Sequence, residues 1–406
     1  MREMKDSGHP WLGMIPASWD VVYPKVLFTQ RKDKAKRGER QLTASQQHGV
    51  VYQDEYMKMT GSRVVVVEKD FDILKHVEAG DFVISMRSFQ GGVEYSENTG
   101  CISSAYVMLI PHPEYVNNGY FKWLLKSPTY IKALQSTSNL VRDGQAMRYS
   151  NFVQVWLPVI PVHEQVAIAE MLNRKCSQID TLIANVQVQI EKLKAYKQSL
   201  ITEVVTKGLD PTVPMKDSGV EWIGDVPEHW EILSLKHLCT MQSGKNLISE
   251  QIAPIGDYPV YGGNGLRGYF SDYNTTGDFL LVGRQGALCG NVHMVSGQFW
   301  ATEHAVVTAP NEKVSLEYLY YLLVGMNLNQ FVSPTAAQPG LAVSTIQNIK
   351  TCLPPMAEQQ KAATYLHNTA NQVDNLITIK QAKIEKLNEY KKSLIYEYVT
   401  GKKEVQ

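Results

Sequence analysis

The residues with the best claim to chemistry sit on glycine-rich stretches in the second half of the chain. Gly283-Arg-Gln-Gly-Ala-Leu-Cys-Gly290 has the look of a phosphate loop, but it lacks the Gly-Lys-Ser/Thr that would cradle and charge-match a phosphate chain. Ser243-Gly-Lys245 has the lysine without the loop before it. No Gly-x-Gly-x-x-Gly opens a helix, and no Asn/Asp-Pro-Pro-aromatic motif of an amino-methyltransferase is present. Glu389-Tyr-Lys391 has no Pro-Asp strand ahead of it, which argues against a nuclease metal site. Glu303 and His304 could pair as acid and base, yet neighbours on a strand point to opposite faces, so no acid–base site is expected there. The cysteines Cys101, Cys176, Cys239, Cys289 and Cys352 are odd in number and form no Cys-x-x-Cys pair. That predicts free thiols in a reducing compartment and no zinc site. The sequence therefore predicts a chain without catalysis or a cofactor of its own.

What the sequence does offer is repetition. Met4-Lys-Asp-Ser-Gly-His-Pro-Trp11 returns as Met215-Lys-Asp-Ser-Gly-Val-Glu-Trp222. Ile190-Glu-Lys-Leu-Lys-Ala-Tyr-Lys-Gln-Ser-Leu200 returns as Ile384-Glu-Lys-Leu-Asn-Glu-Tyr-Lys-Lys-Ser-Leu394. Each half has a similar head, a dissimilar middle and a similar helical tail. Each head runs into an aromatic–proline turn, Trp11 to Trp19 and Trp222 to Trp230, whose tryptophans should pin it to a neighbouring surface.

In the tails, Ile179, Ile183, Val186, Ile190, Leu193 and Leu200 follow a four–three spacing, and Val373, Ile377, Ile384, Leu387 and Leu394 match it. Lys380 stands where the first stripe has Val186. No glycine or proline interrupts Glu164–Thr206 or Glu358–Thr400, so each predicts a helix of about 60 Å. One such helix alone is marginal in water, and two with matching stripes predict an antiparallel coiled coil with a pseudo-twofold relation between the halves. The middles predict compact α+β domains. Their strands are expected at Arg63–Val67, Asp81–Ser85, Ser104–Ile110, Gly277–Val282 and Ala305–Thr308, with helices at Tyr120–Ser127 and Leu316–Val324. The expected fold is α+β: two globular domains, 1–156 and 211–352, joined by long helical segments, 157–210 and 353–406.

The chain has 406 residues, 44% hydrophobic and 20% charged, with 40 basic against 40 acidic side chains. That is the composition of a soluble globular protein, and a neutral total neither favours nor excludes nucleic acid. No apolar run approaches the roughly 20 residues needed to span a bilayer, and no apolar signal core opens the chain. A scaffold presenting two modules that bind something other than DNA is compatible with all of this.

Three stretches carry a resemblance to a known family. They are the half-domain opening Lys216-Asp-Ser-Gly-Val-Glu-Trp-Ile-Gly-Asp-Val-Pro-Glu-His-Trp230, the boundary Leu157-Pro-Val-Ile-Pro-Val-His-Glu-Gln165 echoed by Leu353-Pro-Pro-Met-Ala-Glu-Gln-Gln360, and the helix ending Ile-Glu-Lys-Leu-x-x-Tyr-Lys-x-Ser-Leu. With Tyr258–Tyr269 and Leu281–Asn291 they resemble the specificity subunit of a Type I restriction–modification enzyme. The resemblance implies a non-catalytic cytoplasmic subunit whose two target recognition domains each read one half of a bipartite, asymmetric site on double-stranded DNA. It implies helices that dock two modification subunits using S-adenosylmethionine, and a complex completed by two motor-nuclease restriction subunits using ATP and magnesium.

Base reading needs long polar side chains on protruding loops. Arg87 and Gln90 beside Gly91-Gly92 are the first candidates, followed by Arg63, Arg142, Gln145 and Arg148. In the second middle they are Asn264, Arg267, Arg284 and Gln285, with Tyr269 and His304 in support. Arg87 and Arg284 are expected to make bidentate base contacts. Lys32, Lys34, Lys36 and Arg37 form a basic run suited either to phosphates or to solvent.

Overall fold

The structure is a computed structural model that describes residues 2–67, 71–137, 147–286, 289–332 and 340–405. The chain divides into two units, residues 1–185 with 383–406, and residues 186–382. Two long helices, Val162–Lys207 and Met356–Val399, each contribute to both.

Unit 1 is built on a four-stranded antiparallel sheet in the order Phe28–Arg31, Val107–Pro111, Phe82–Ile84, Glu94–Tyr95. One face, with Phe82, Ile84, Val107 and Leu109, packs on the helix Asn118–Leu124 and on Ile168, Leu172 and Ile179 of the first long helix. Leu394 and Val399 of the second long helix close the same core. The other face, with Val83 and Met108, packs under the hairpin Leu42–Ser45/Gly49–Tyr52. Alternation along each strand divides the two cores.

Unit 2 repeats this sheet with Cys239–Ser243, Ala305–Pro310, Phe279–Gly283 and Val292–Val295 in the same order. Leu280, Val282 and Val306 face the helix Leu316–Gly325 together with Ile201, Val204, Ala362 and Leu366 of the long helices. A second sheet, centred on the hairpin Tyr258–Gly262/Gly265–Phe270, has no counterpart of the same size in unit 1 among the described residues.

The repeated sequences form repeated fastenings. In each head the aspartate of Asp-Ser-Gly accepts a hydrogen bond from the glycine two residues on, Gly8 N–H to Asp6 at 3.0 Å and Gly219 N–H to Asp217 at 2.8 Å. Trp11 Nε1 donates to the Trp156 carbonyl at 3.2 Å, and Trp222 Nε1 to the Lys350 carbonyl at 3.0 Å. Trp19 donates to Glu164 Oε2 at 3.2 Å, and Trp230 to Glu358 Oε2 at 2.9 Å. The glutamine after each glutamate is buried. Gln165 accepts from Asn117 N–H and donates to the Tyr115 and Ile160 carbonyls, while Gln359 accepts from Ser315 N–H and donates to Lys313 and Pro354. A Glu-Gln pair opening a helix is thus a clamp that ties helix start, head and sheet crossover into one body.

Both long helices extend beyond their expected limits by a few residues. Within unit 2, Gln189 meets Lys380 at 2.7 Å and Lys197 meets Asp374 at 2.6 Å, so the helices run antiparallel as expected. Within unit 1, Asp180 meets Lys391 at 2.7 Å, and Ile183 and Leu387 pack against the core holding Ile179 and Leu394. Lys380 breaks the apolar stripe by bonding Gln189 at the rim. The expected strand at Arg63–Val67 is irregular backbone instead, with Val65 85% exposed: four valines make a strand only where a sheet edge receives them.

Candidate nucleic-acid interface

In both units the functional candidates gather at one end of the four-stranded sheet. In unit 2 this is where Cys239–Ser243 and Phe279–Gly283 leave the sheet and Ala305–Pro310 enters it. Arg284 follows Gly283 directly, and its Nη1 crosses to Ser243 Oγ at 2.9 Å. Its backbone N–H donates to the His304 carbonyl at 3.1 Å. The turn Gly262–Gly265 packs on the same place. A Cβ on Gly263 would lie 2.8 Å from the His304 carbonyl oxygen, and one on Gly283 would lie 2.1 Å from the Gly263 carbonyl oxygen. Only glycine at both positions lets loop and sheet end touch. The contact brings exposed Asn264 to the site, where its Oδ1 accepts from Asn291 Nδ2 at 3.0 Å. Gln285 is exposed beside Arg284.

His304 faces its neighbour rather than the opposite side. Glu303 Oε1 and His304 Nε2 are 3.0 Å apart. The expectation of opposite faces fails because residues 303 and 304 form a turn ahead of the strand, where alternation does not hold. His293 lies across the Gly265 turn, and burial pushes its pKa below the ordinary value. Arg267 is exposed on the hairpin with its side chain over Gly262. Tyr269 lies farther down that hairpin, its backbone paired with Ala253 at 2.8 and 2.9 Å, and is not brought to the sheet end.

In unit 1 the same sheet end opens into a groove of about 800 Å³ lined by Arg63, Arg87, Gln90, Gln46, Gln47 and Tyr106, among others. Arg87 and Gln90 flank the short helix Ser88–Gly91, and the exposed stretch before Val65 supplies Arg63. Burial raises the Tyr106 phenol pKa while the nearby Arg87 charge pulls it down. Among the described residues the Arg63 and Arg87 guanidinium groups have no ion-pair partner, which leaves both available in the groove. Arg148 lies apart, as the residue before the helix Tyr149–Phe152, with its backbone N–H bonded to Asn151. Arg142 and Gln145 lie outside the described residues. Lys32, Lys34, Lys36 and Arg37 are exposed, whereas Arg31 at the strand end is held by Asp81 at 2.6 Å.

Sequence reasoning missed Gln46, Gln47, Ser243, Asn291, His293 and Glu303. One signal was available. Gly80-Asp-Phe-x-x-x-x-Arg87 and Gly277-Asp-Phe-x-x-x-x-Arg284 share residues and spacing, and both arginines leave the third strand of the sheet. Among the described residues, no group of three or more His, Cys, Asp or Glu could hold a metal, and no helix is long and apolar enough to cross a membrane.

Two units on a shared pair of antiparallel helices, each with polar loops at one sheet end, define a two-domain recognition protein. Residues 227–389 match the family described as the Type I restriction modification DNA specificity domain. The chain is 37% identical over 154 residues to the Type I restriction enzyme EcoprrI specificity subunit of Escherichia coli, a match covering 37% of this chain and 38% of that protein. It is 25% identical over 385 residues to the MjaVIII specificity subunit of Methanocaldococcus jannaschii, covering 86% and 82%. A chain solved in work on complex assembly and conformational transition of the type I R-M system has the same fold, with a TM-score of 0.70 at 14% identity over 95% of this chain and 98% of that one. The HsdS subunit from Thermoanaerobacter tengcongensis aligns at a TM-score of 0.51 and 12% identity over the same shares. The chain belongs to the family of Type I restriction–modification specificity subunits.

Proposed function

We propose that this chain is the DNA-reading subunit of a Type I restriction–modification complex and has no catalytic activity of its own. Residues 1–156 and 211–352 form two target recognition domains, each reading one half of a bipartite, asymmetric site through its sheet-end loops. The helical segments 157–210 and 353–406 dock two modification subunits, and two restriction subunits complete the assembly. S-adenosylmethionine, ATP and magnesium belong to those partners, and the complex works on DNA in the cytoplasm. One observation carries this reading: the frame repeats bond for bond, while the loops at the same sheet end differ between the units. Different loops on one frame imply two different half-sequences, and hence a non-palindromic whole. The test is to sequence methylated bases in cells expressing the chain with its cognate modification subunit. Adenine methylation at one split, non-palindromic motif is expected, and a palindromic motif or no new methylation would overturn the reading.

A further inference from the structure

The sheet end of unit 2 holds an unusual concentration of polar atoms that are enclosed yet unpaired. Among the described residues, Arg284 Nε, His293 Nε2, Thr302 Oγ1, Glu303 Oε2 and His304 Nδ1 are buried without a hydrogen-bond partner. Thr302 is wholly buried. None of the groove-lining side chains of unit 1 named above shares this property. Unpaired buried polar atoms are costly, and where they cluster a ligand commonly completes them.

The mixture identifies the ligand's chemistry. A phosphate accepts only, so it suits the arginine but repels a carboxylate. A base edge in the major groove offers both kinds of partner, ring and carbonyl acceptors next to an exocyclic amino donor. Glu303 fits that edge. His304 Nε2 holds its Oε1 at 3.0 Å, which fixes the carboxylate and leaves Oε2 without a partner. Arg284, anchored to Ser243, supplies a donor at the same sheet end.

We infer that Glu303 is a specificity-determining residue of the second recognition domain: its Oε2 accepts a hydrogen bond from the exocyclic amino group of a cytosine or adenine in the major groove. This rests on the DNA-reading function proposed above. A carboxylate facing DNA adds repulsion from every phosphate nearby, and reading an amino group is what offsets it. Glu303 thus contributes to selection by rejecting base pairs that lack the donor at that position.

The test uses the full chain in complex with its modification subunits, comparing wild type, E303Q and E303A. The methylated motif is mapped in genomic DNA, and binding is measured to duplexes carrying each single-base change of that motif. Loss of Glu303 is expected to lower discrimination at one base pair of the second half-site by roughly 5- to 150-fold, leaving the first half unchanged. The base lost identifies the donor, cytosine or adenine. E303Q keeps the side chain's shape, so it decides the matter if E303A fails to assemble. An unchanged motif, or equal weakening across all duplexes, would overturn the inference and leave Glu303 a partner of His304 alone. If wild type itself yields no split motif, the DNA-reading function fails instead.

Discussion

The two sheet ends differ more than the sequences leading into them. Gly-Asp-Phe begins the third sheet strand in both units, yet Phe82 faces the long helices and Phe279 faces the opposite side, packed with Leu281, Ala305 and Val307. Leu280 and Val282 take the helix-facing places that Phe82 and Ile84 hold in unit 1. A slip of one residue turns every side chain over. Asp81 is consequently buried against Arg31, while Asp278 is exposed. The arginines inherit the slip. Arg87 lies three residues beyond the last helix-facing side chain and stands in an open groove, whereas Arg284 lies two beyond it and is tied to Ser243. The same residues on the same frame thus present different surfaces, which is how a duplicated protein can acquire two specificities without altering its core.

The frame should be where the units behave alike. Trp19 and Trp230 are both almost fully buried, and alanine at either should cost about 3–5 kcal/mol in urea unfolding of the isolated chain. A loss below 1 kcal/mol at one of them would break the equivalence of the two clamps.

The sheet ends should be where they diverge. R87A and R284A are each expected to cost about 1–3 kcal/mol against the correct half-site, and each should relax a different half. Binding across a salt series to single-base variants separates the alternatives. A uniform loss with a salt slope reduced by about one unit would make that arginine a phosphate contact instead.

Much of the frame was legible in the sequence because local rules govern it. Proline boundaries, uninterrupted helical spacing and repeated tryptophans survive any tertiary context, and they located both long helices to within a few residues. The candidate site was legible in part. Arg63, Arg87 and Gln90 converge because each protrudes from the same sheet end, and glycine pairs marked the turn at Asn264. Glu303, His293 and Asn291 were hidden because they come from separate turns joined only by the crossover of the sheet. Tyr269 misled because a hairpin carries its residues away from the loop at about 3.4 Å each.

A smaller contrast concerns acid. Burial pushes Glu164 up, but hydrogen bonds from Arg2 and Trp19 and the Arg2 charge outweigh it and hold its pKa below the ordinary value. A depressed pKa contributes stability that is present above the unfolded value of about 4.3 and is lost as pH falls through the folded value. E164Q should therefore remove about 1–2 kcal/mol at neutral pH and flatten the acid limb of the stability curve. An unchanged limb would show that the Arg2 pair contributes nothing. The helix pairs Lys391–Asp180 and Lys197–Asp374 should matter least. D180A and D374A are expected to cost about 0.2–1 kcal/mol each, shrinking with added salt.

Modular reading on a common frame is tested most directly by exchanging residues 231–352 for the equivalent domain of another specificity subunit. The methylated motif is then mapped in cells that also express the modification subunit. One half of the motif should change to the donor's sequence while the other half stays as in wild type. A change in both halves, or in neither, would contradict independent recognition by the two units.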